Sequence, residues 1–282
     1  MSVLGKLTRR YKILKWRALS KISICDTVLA EVQGKKMYLD LSDRVHCETL
    51  YTRGIWEKDV TAYLMKLLER GMVVVDIGAN VGYYTLLAAE KVGDHGKVFA
   101  FEPEPSRYAL LEKNVGVNDF KNVLLVQKAV SNKPGAARLY LDPRHNPGDH
   151  RLFDSFDGRE SVAVETTSLD DFFKDKSHFI HVIKMDIQGA EMAALEGMAD
   201  TIKRHHDLTL ITEFWPDGMK AFGFSPTEFL STLIGHGFHL YILNDQMQSL
   251  QAIEPEQVMK ICKTEIYLVC RKGKPCYPAN TS

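Results

Sequence analysis

Val75-Asp76-Ile77-Gly78-Ala79-Asn80-Val81-Gly82-Tyr83-Tyr84-Thr85 is the stretch whose reading decides the fold. The residues before the glycines, 73 to 77, form a short apolar run that reads as a buried strand, and a helical run follows from Tyr83 to about Val92. Between them, Gly78 and Gly82 let the backbone pass close to a ligand with no side chain in the way. A second strand spans 97 to 101. Glu102, 26 positions after Asp76, closes it, and Pro103 turns the chain away. An acid at that place can accept hydrogen bonds from both hydroxyls of a ribose. A pyrophosphate site would call for G-x-G-x-x-G with no carboxylate beside the phosphates. Here the turn reads G-A-N-V-G behind Asp76, a charge that repels pyrophosphate and suits the ammonium and sulfonium groups of S-adenosylmethionine. A tight strand-to-helix turn without a ligand is the bland alternative.

Outward from this core the alternation continues. A helical stripe (Val60, Leu64, Leu67, Leu68) precedes it from Trp56 to Arg70, and Gly71 stops it. After it come a helix over 105 to 118 and a strand over 123 to 130. Further strands are expected at 181 to 187, 208 to 214, 237 to 243 and 265 to 270, and helices at 190 to 204, 225 to 235 and 255 to 262. This order predicts a Rossmann-like, doubly wound α/β domain whose mostly parallel sheet is covered on both faces. Residues 143 to 160, rich in Pro, Gly, Asp, His and Arg, are flanked by alternating segments at 136 to 141 and 161 to 167. They read as a long binding or covering loop between paired strands. The expected division is an N-terminal extension (1–52), the main domain (53–272) and a tail (273–282).

The extension begins with Lys6, Arg9, Arg10, Lys12, Lys15, Arg17 and Lys21 before the first acid, Asp26. Leu4, Leu7, Tyr11 and Leu14 recur among these cations at helical spacing, as in a helix lying on an anionic membrane surface or a partner. A solvated helix packed on the domain is the other reading. Residues 28 to 32 and 36 to 41 suggest a hairpin. The chain as a whole carries 36 basic and 36 acidic residues, so no global field exists to hold a nucleic-acid backbone. Cys25, Cys47, Cys262, Cys270 and Cys276 match neither a zinc cluster nor a redox pair and read as reduced thiols. No apolar run of about 20 residues is present to span a bilayer. The expected location is cytoplasmic, with residues 1 to 21 a candidate peripheral membrane contact.

The chain resembles the FkbM family of S-adenosylmethionine-dependent methyltransferases from about Gly54 to Leu243. The carriers are the opening stretch together with Ala100-Phe101-Glu102-Pro103, Lys128-Ala129-Val130-Ser131, Thr167-Ser168-Leu169-Asp170 and Ile183-Lys184-Met185-Asp186-Ile187-Gln188-Gly189-Ala190-Glu191. The resemblance implies methyl transfer, usually to a hydroxyl of a sugar, glycan precursor or natural product. It puts Asp76, Gly78, Asn80 and Gly82 around the methionine part of the cofactor and Glu102 on the ribose, with Ala79, Tyr83 and Pro103 as further cofactor contacts. Lys128 and Ala129 should border the adenine, and Glu57 is a further cofactor contact. Gln188 departs from the family, which often carries Glu there.

Asp186 ends the fourth strand, on the rim where open α/β sheets bind ligands, and is the leading catalytic candidate; its bland reading is the N-cap of the next helix. Glu213 ends the fifth strand at the same rim. The two could share Mg²⁺ at an acceptor oxygen, or one could act as base. His150 is a second candidate base, and Arg151 could fork onto an anionic acceptor. A non-catalytic cofactor-binding scaffold and a nicotinamide-dependent oxidoreductase are the competing readings.

Overall fold

The computed structural model describes residues 3–22, 26–142, 146–244 and 249–273. Cys25, Cys276 and all but the first residue of the expected tail lie outside them. The chain opens with α1 (Val3–Ile22), the antiparallel hairpin β1 (Thr27–Val32) and β2 (Lys35–Asp40), then α2 (His46–Arg53) and α3 (Lys58–Leu67). Next come β3 (Val73–Ile77), α4 (Tyr83–Val92), β4 (Lys97–Phe101), α5 (Pro105–Val117) and β5 (Val123–Val126). A side sheet follows, of β6 (Ala129–Val130), β7 (Gly135–Tyr140) and β8 (Ser161–Thr167), with α6 (Leu169–Phe173) after it. The remainder is β9 (Val182–Met185), α7 (Glu191–Glu196), α8 (Ala199–Arg204), β10 (Thr209–Phe214), α9 (Pro216–Ala221), α10 (Pro226–Gly235), β11 (His239–Asn244), β12 (Ser249–Ala252), α11 (Pro255–Ile261) and β13 (Ile266–Arg271).

The central sheet has eight strands in the order β12-β11-β13-β10-β9-β3-β4-β5. Strands β10, β9, β3, β4 and β5 run parallel, whereas β13 is antiparallel to both its neighbours. The strand order reverses between β3 and β9, which leaves a crevice at their carboxyl ends.

Strand periodicity explains the two cores. Val74, Val98, Ala100, Val182 and Ile211 face one side, packed with residues of α3, α4 and α5. Val75, Ile77, Phe99, Phe101, Ile183, Met185 and Leu210 face the other, against α6, α7, α8 and α10. Asp76 shares the first face with Val74, and Thr85 of α4 meets it there. The hairpin and α2 join that same core through Val32, Met37, Leu39, Cys47 and Leu50, and Trp16 anchors α1 by packing on Tyr51.

Two expected elements differ. The strand expected over 123 to 130 divides, because Val126 ends the central sheet while Ala129 and Val130 pair with β8. The helix expected over 190 to 204 breaks at Gly197, where a Cβ would lie 2.1 Å from the Ser131 carbonyl oxygen. Close packing there has replaced helical continuity. Helix α2, inside the extension, has no counterpart in the sequence reading. Cys47, Cys262 and Cys270 are free thiols.

Candidate functional site

The turn after β3 is set by close approach. Gly78 sits at φ +81°, and a Cβ on it would fall 2.1 Å from the carbonyl oxygen of Asp186 at the end of β9. The carboxyl ends of β3 and β9 therefore touch through bare backbone. Gly82 (φ +93°) starts α4, and a Cβ there would strike Leu111, so its role is helix packing and it does not line the cleft. A cleft of about 500 Å³ opens above the crevice. Of the anticipated residues, Glu57, Gly78, Ala79, Asn80, Tyr83, Glu102, Pro103, Lys128, Ala129, His150, Arg151, Asp186 and Glu213 all line it, and Asp76 lies just beneath.

Buried polar groups need partners, so those without one mark where a ligand fits. Asp76 Oδ2 accepts from Thr85 Oγ1 at 2.6 Å, whereas its Oδ1 is buried and unpartnered. Asn80 Oδ1, on the cleft, is likewise unpartnered. Glu102 Oε2 accepts from the Asn80 amide at 2.8 Å and Oε1 from the Glu104 amide at 2.9 Å. Each oxygen keeps a lone pair for a ribose hydroxyl. Burial pushes the Glu102 carboxyl up to about 7, a charge in want of further donors. Lys128 pairs with Glu165 at 2.8 Å on the exposed rim, next to buried Ala129. These groups fit S-adenosylmethionine: an acid for its ammonium, an acid for its ribose, an apolar wall with Phe101 and Val130 for its base.

At the other end of the cleft a buried charge network forms. Lys184, on β9, lies 3.1 Å from Asp186 Oδ2 and 4.8 Å from the Tyr84 ring centre. Although burial opposes its charge, Asp186, Asp76 and Glu57 hold Lys184 protonated. Burial likewise works against Asp186, but Lys184, Tyr267 and Gln188 bring its carboxyl below the usual range. The Tyr267 hydroxyl stands 2.7 Å from Asp186 Oδ2 and 2.9 Å from Glu57 Oε1. One hydroxyl proton cannot serve two carboxylates. Burial and then Asp186 raise the Glu57 pKa, and the Tyr84 hydroxyl donates to Glu57 Oε2 at 2.7 Å, so Glu57 keeps a donor when Tyr267 turns to Asp186.

Gln188 bridges the two strand-end acids: its amide nitrogen donates at 2.9 Å to both Asp186 Oδ1 and Glu213 Oε2. Of the two alternatives for this acid pair, the geometry does not support a shared Mg²⁺. The oxygens that would ligate a cation are turned onto an amide, and Lys184 already supplies the positive charge. Asp186 is not a helix cap either, because Glu191 accepts from the Ile187 and Gly189 amides ahead of α7. Glu213 is the less satisfied acid. Burial, then Asp186, Glu191, Glu265 and Glu57, raise its carboxyl well above the usual range.

The loop from Asn146 to Leu152 covers the cleft. Its two candidates take different roles from those expected. His150 Nδ1 accepts from the Asp142 amide at 3.0 Å, so the neutral ring carries its proton on Nε2 and offers a donor, not a base. Burial lowers its pKa to about 4. The Arg151 fork is occupied by Asp149 at 2.6 Å and Ser155 at 2.9 Å, and its guanidinium carbon lies over the Trp215 ring at 4.5 Å from its centre, so it is not open to an anionic acceptor. Arg159, fully buried in its side chain, ties the loop down through Asp149 and Asp142.

Sequence reasoning missed Lys184, Tyr267, Tyr84, Trp215 and Arg159. Lysine inside the apolar strand Val182–Met185 was the available signal, since an unpaired lysine is almost never buried. A second signal appears only in the backbone: Glu57, Asn80 and Gln188 line the cleft with φ of 39°, 50° and 54°. Left-handed backbone on non-glycine residues gathers at functional sites. Elsewhere, buried Asp43, His46 and Cys47 bring potential ligand atoms within 4.8 Å, but Arg107 stands 3.8 Å from Asp43 and takes up its charge.

A seven-stranded order with one antiparallel strand between parallel ones, extended here by β12, and an acid-flanked glycine turn at the switch point define a class I S-adenosylmethionine-dependent methyltransferase. The methyltransferase FkbM domain matches residues 76–240, well over half of the chain, and the chain belongs to that family. It is 25% identical over 211 residues to the hexuronic acid methyltransferase AglP of Haloferax volcanii, covering 72% of this chain and 80% of that protein. It is also 29% identical over 161 residues to the 2-O-methyltransferase NoeI of Sinorhizobium fredii, covering 50% of this chain and 63% of that protein. A third relative, sdnD, a methyltransferase of Sordaria araneosa, is 27% identical over 180 residues, covering 52% of this chain and 68% of that protein. The nicotinamide reading is set aside by this membership.

Proposed function

We propose that the protein is an O-methyltransferase acting on a hydroxyl of a neutral sugar-type or natural-product acceptor, with Glu213 as the base. Bound S-adenosylmethionine supplies an activated methyl group on a cationic sulfur. Asp76 Oδ1 receives the ammonium and Glu102 the ribose hydroxyls, while Gly78 and Ala79 admit the donor close to backbone. Glu57 and Tyr83 stand on the methionine side, and Lys128, Ala129 and Pro103 border the base and ribose. The chain's own work is then to align donor with acceptor and to take one proton.

Glu213 carries the reading. Its carboxyl resists ionisation first because it is buried, and then because Asp186, Glu191, Glu265 and Glu57 stand near it. Such a carboxylate is a stronger base than an ordinary one, suited to an alcohol proton near neutral pH. Asp186, held ionised by Lys184, Tyr267 and Gln188, acts by charge and by fixing Gln188, and His150 donates from Nε2 to the acceptor. The acidic floor disfavours a carboxylate acceptor, which supports ether over ester formation even though one relative is named for a hexuronic acid. The acceptor-hydroxyl reading also accords with the 2-O-methyltransferase relative.

The test has two parts. Calorimetric titration with S-adenosylmethionine should show binding that Asp76→Ala removes, and NAD should not bind. Methyl transfer from labelled donor to a sugar panel should then give a base-stable ether, strongly reduced in Glu213→Gln. A base-labile product would identify a carboxylate acceptor and overturn the hydroxyl reading.

A further inference from the structure

Helix α1 turns its back on the core. Trp16, 1% exposed, packs on Tyr51 of α2, and Arg9, Lys12, Ile13 and Leu19 are partly covered on the same side. The opposite side carries Tyr11, 66% exposed, Leu14, 62% exposed, and exposed Ala18. At 3.6 residues per turn these three fall within an arc of roughly 60°. Exposed Arg10, Arg17 and Lys21 flank that arc on one side and exposed Lys15 on the other. A soluble helix would ordinarily put its large apolar side chains toward the core and leave charges alone outside. Here the outward face holds an apolar ridge between cations, and no acid occurs before Asp26 to offset them. Beside the helix lies a second cleft of about 960 Å³, whose lining holds five cations, Arg17, Lys21 and Arg44 among them, against three acids, Asp26, Asp40 and Glu48.

We propose that the outward face of α1 docks the enzyme on an anionic lipid surface. Tyr11 and Leu14 enter the headgroup boundary, and Arg10, Lys15, Arg17 and Lys21 lie against the anionic headgroups around them. Charge complementarity selects this occupant: the molecule as a whole is neutral, so a local excess of cations beside exposed apolar side chains suits a negatively charged, partly apolar plane. Because Trp16 fixes the helix to the body, docking would orient the whole domain and not merely tether it. The inference is independent of the acceptor and of the base.

Sedimentation of the full chain with sucrose-loaded vesicles tests it. Vesicles of phosphatidylcholine with phosphatidylglycerol should bind the protein at low salt, phosphatidylcholine alone should not, and added salt should release it. Each cation near such a surface gives about a fivefold gain in partition, so Arg10→Gln with Lys15→Gln, Arg17→Gln and Lys21→Gln together should reduce binding by roughly 600-fold. Tyr11→Ser with Leu14→Ser should weaken binding about tenfold while leaving some salt-sensitive attachment. All six side chains are exposed, so both variants should melt like the parent, which circular dichroism verifies. No binding to the anionic vesicles, equal binding to neutral ones, or unchanged binding of the fourfold variant would overturn the proposal. So would retention on duplex RNA at a salt concentration where the vesicles go unbound.

Discussion

Glu213 and Gln188 meet through a single amide, and their chemistry can be separated. Glu213→Gln should lower kcat by about 10²- to 10⁴-fold while leaving S-adenosylmethionine affinity within a fewfold of the parent; loss of donor binding instead would make Glu213 a cofactor residue. Since the base works deprotonated, parental activity should fall as pH drops through a value well above the ordinary carboxylate range. Gln188→Glu would add a third acid against Asp186 and Glu213 and remove the bridging donor. Repulsion then raises the Glu213 pKa further, and the acid limb of the pH–rate profile should move to higher pH. A profile that stays put would mean that Gln188 does not govern the base. The strand-end acids could be read from sequence because a strand followed by a turn fixes where its last side chain stands. Lys184 and Tyr267 could not, since their importance depends on which strands become neighbours.

Elements show the same division. The strands at 73–77 and 97–101 and the helix at 83–92 were legible to the residue, each bounded by glycine, proline or a charge. Where a boundary depended on tertiary contact, as at Gly197 or between β5 and β6, local pattern had nothing to report. The loop over the cleft is the element most open to test. Arg159 holds it through Asp149 and Asp142, and removing one member of a buried ion pair typically costs about 3–5 kcal/mol. Arg159→Met should therefore release the loop: proteolysis between β7 and β8 should quicken and donor affinity should fall about tenfold or more. Equal proteolysis rates would show that Phe153, stacked on Phe222, holds the loop instead. Gly78→Ala tests the floor of the cleft, since its Cβ would need the space of the Asp186 carbonyl; donor binding should be lost and the melting temperature lowered.

For the whole molecule, the sign of the cleft's charge sets how ligand and pH interact. Glu102, at about 7, has its pKa raised by folding, so in the free protein it favours the folded state at low pH and ceases to do so as pH rises from about 4.5 through 7. Glu57, Asp76 and Glu213 are shifted the same way, each first by burial. A cationic donor offsets the repulsion that ionisation creates. Saturating S-adenosylmethionine should raise the melting temperature more at pH 8 than at pH 5.5, and Glu102→Gln should shrink that difference. An equal or smaller shift at pH 8 would mean that the donor does not answer these acids.

The hydroxyl of Tyr267 has a consequence for how the protein is made. It joins Asp186 to Glu57, residues that leave the ribosome long before it does. At typical synthesis rates of about 5–20 residues per second, Glu57 waits roughly 10–40 s for this second hydroxyl after that of Tyr84. During that wait β3, β4, β5 and β9 can already assemble, yet the antiparallel strand carrying the tyrosine has still to slide in beside β10 between neighbours that translation produced earlier. A nascent chain halted before β13 would thus hold a folded half in which Asp186 and Glu57 lack the hydroxyl that joins them, and the complete cleft would appear late, as a mark that synthesis had run its course.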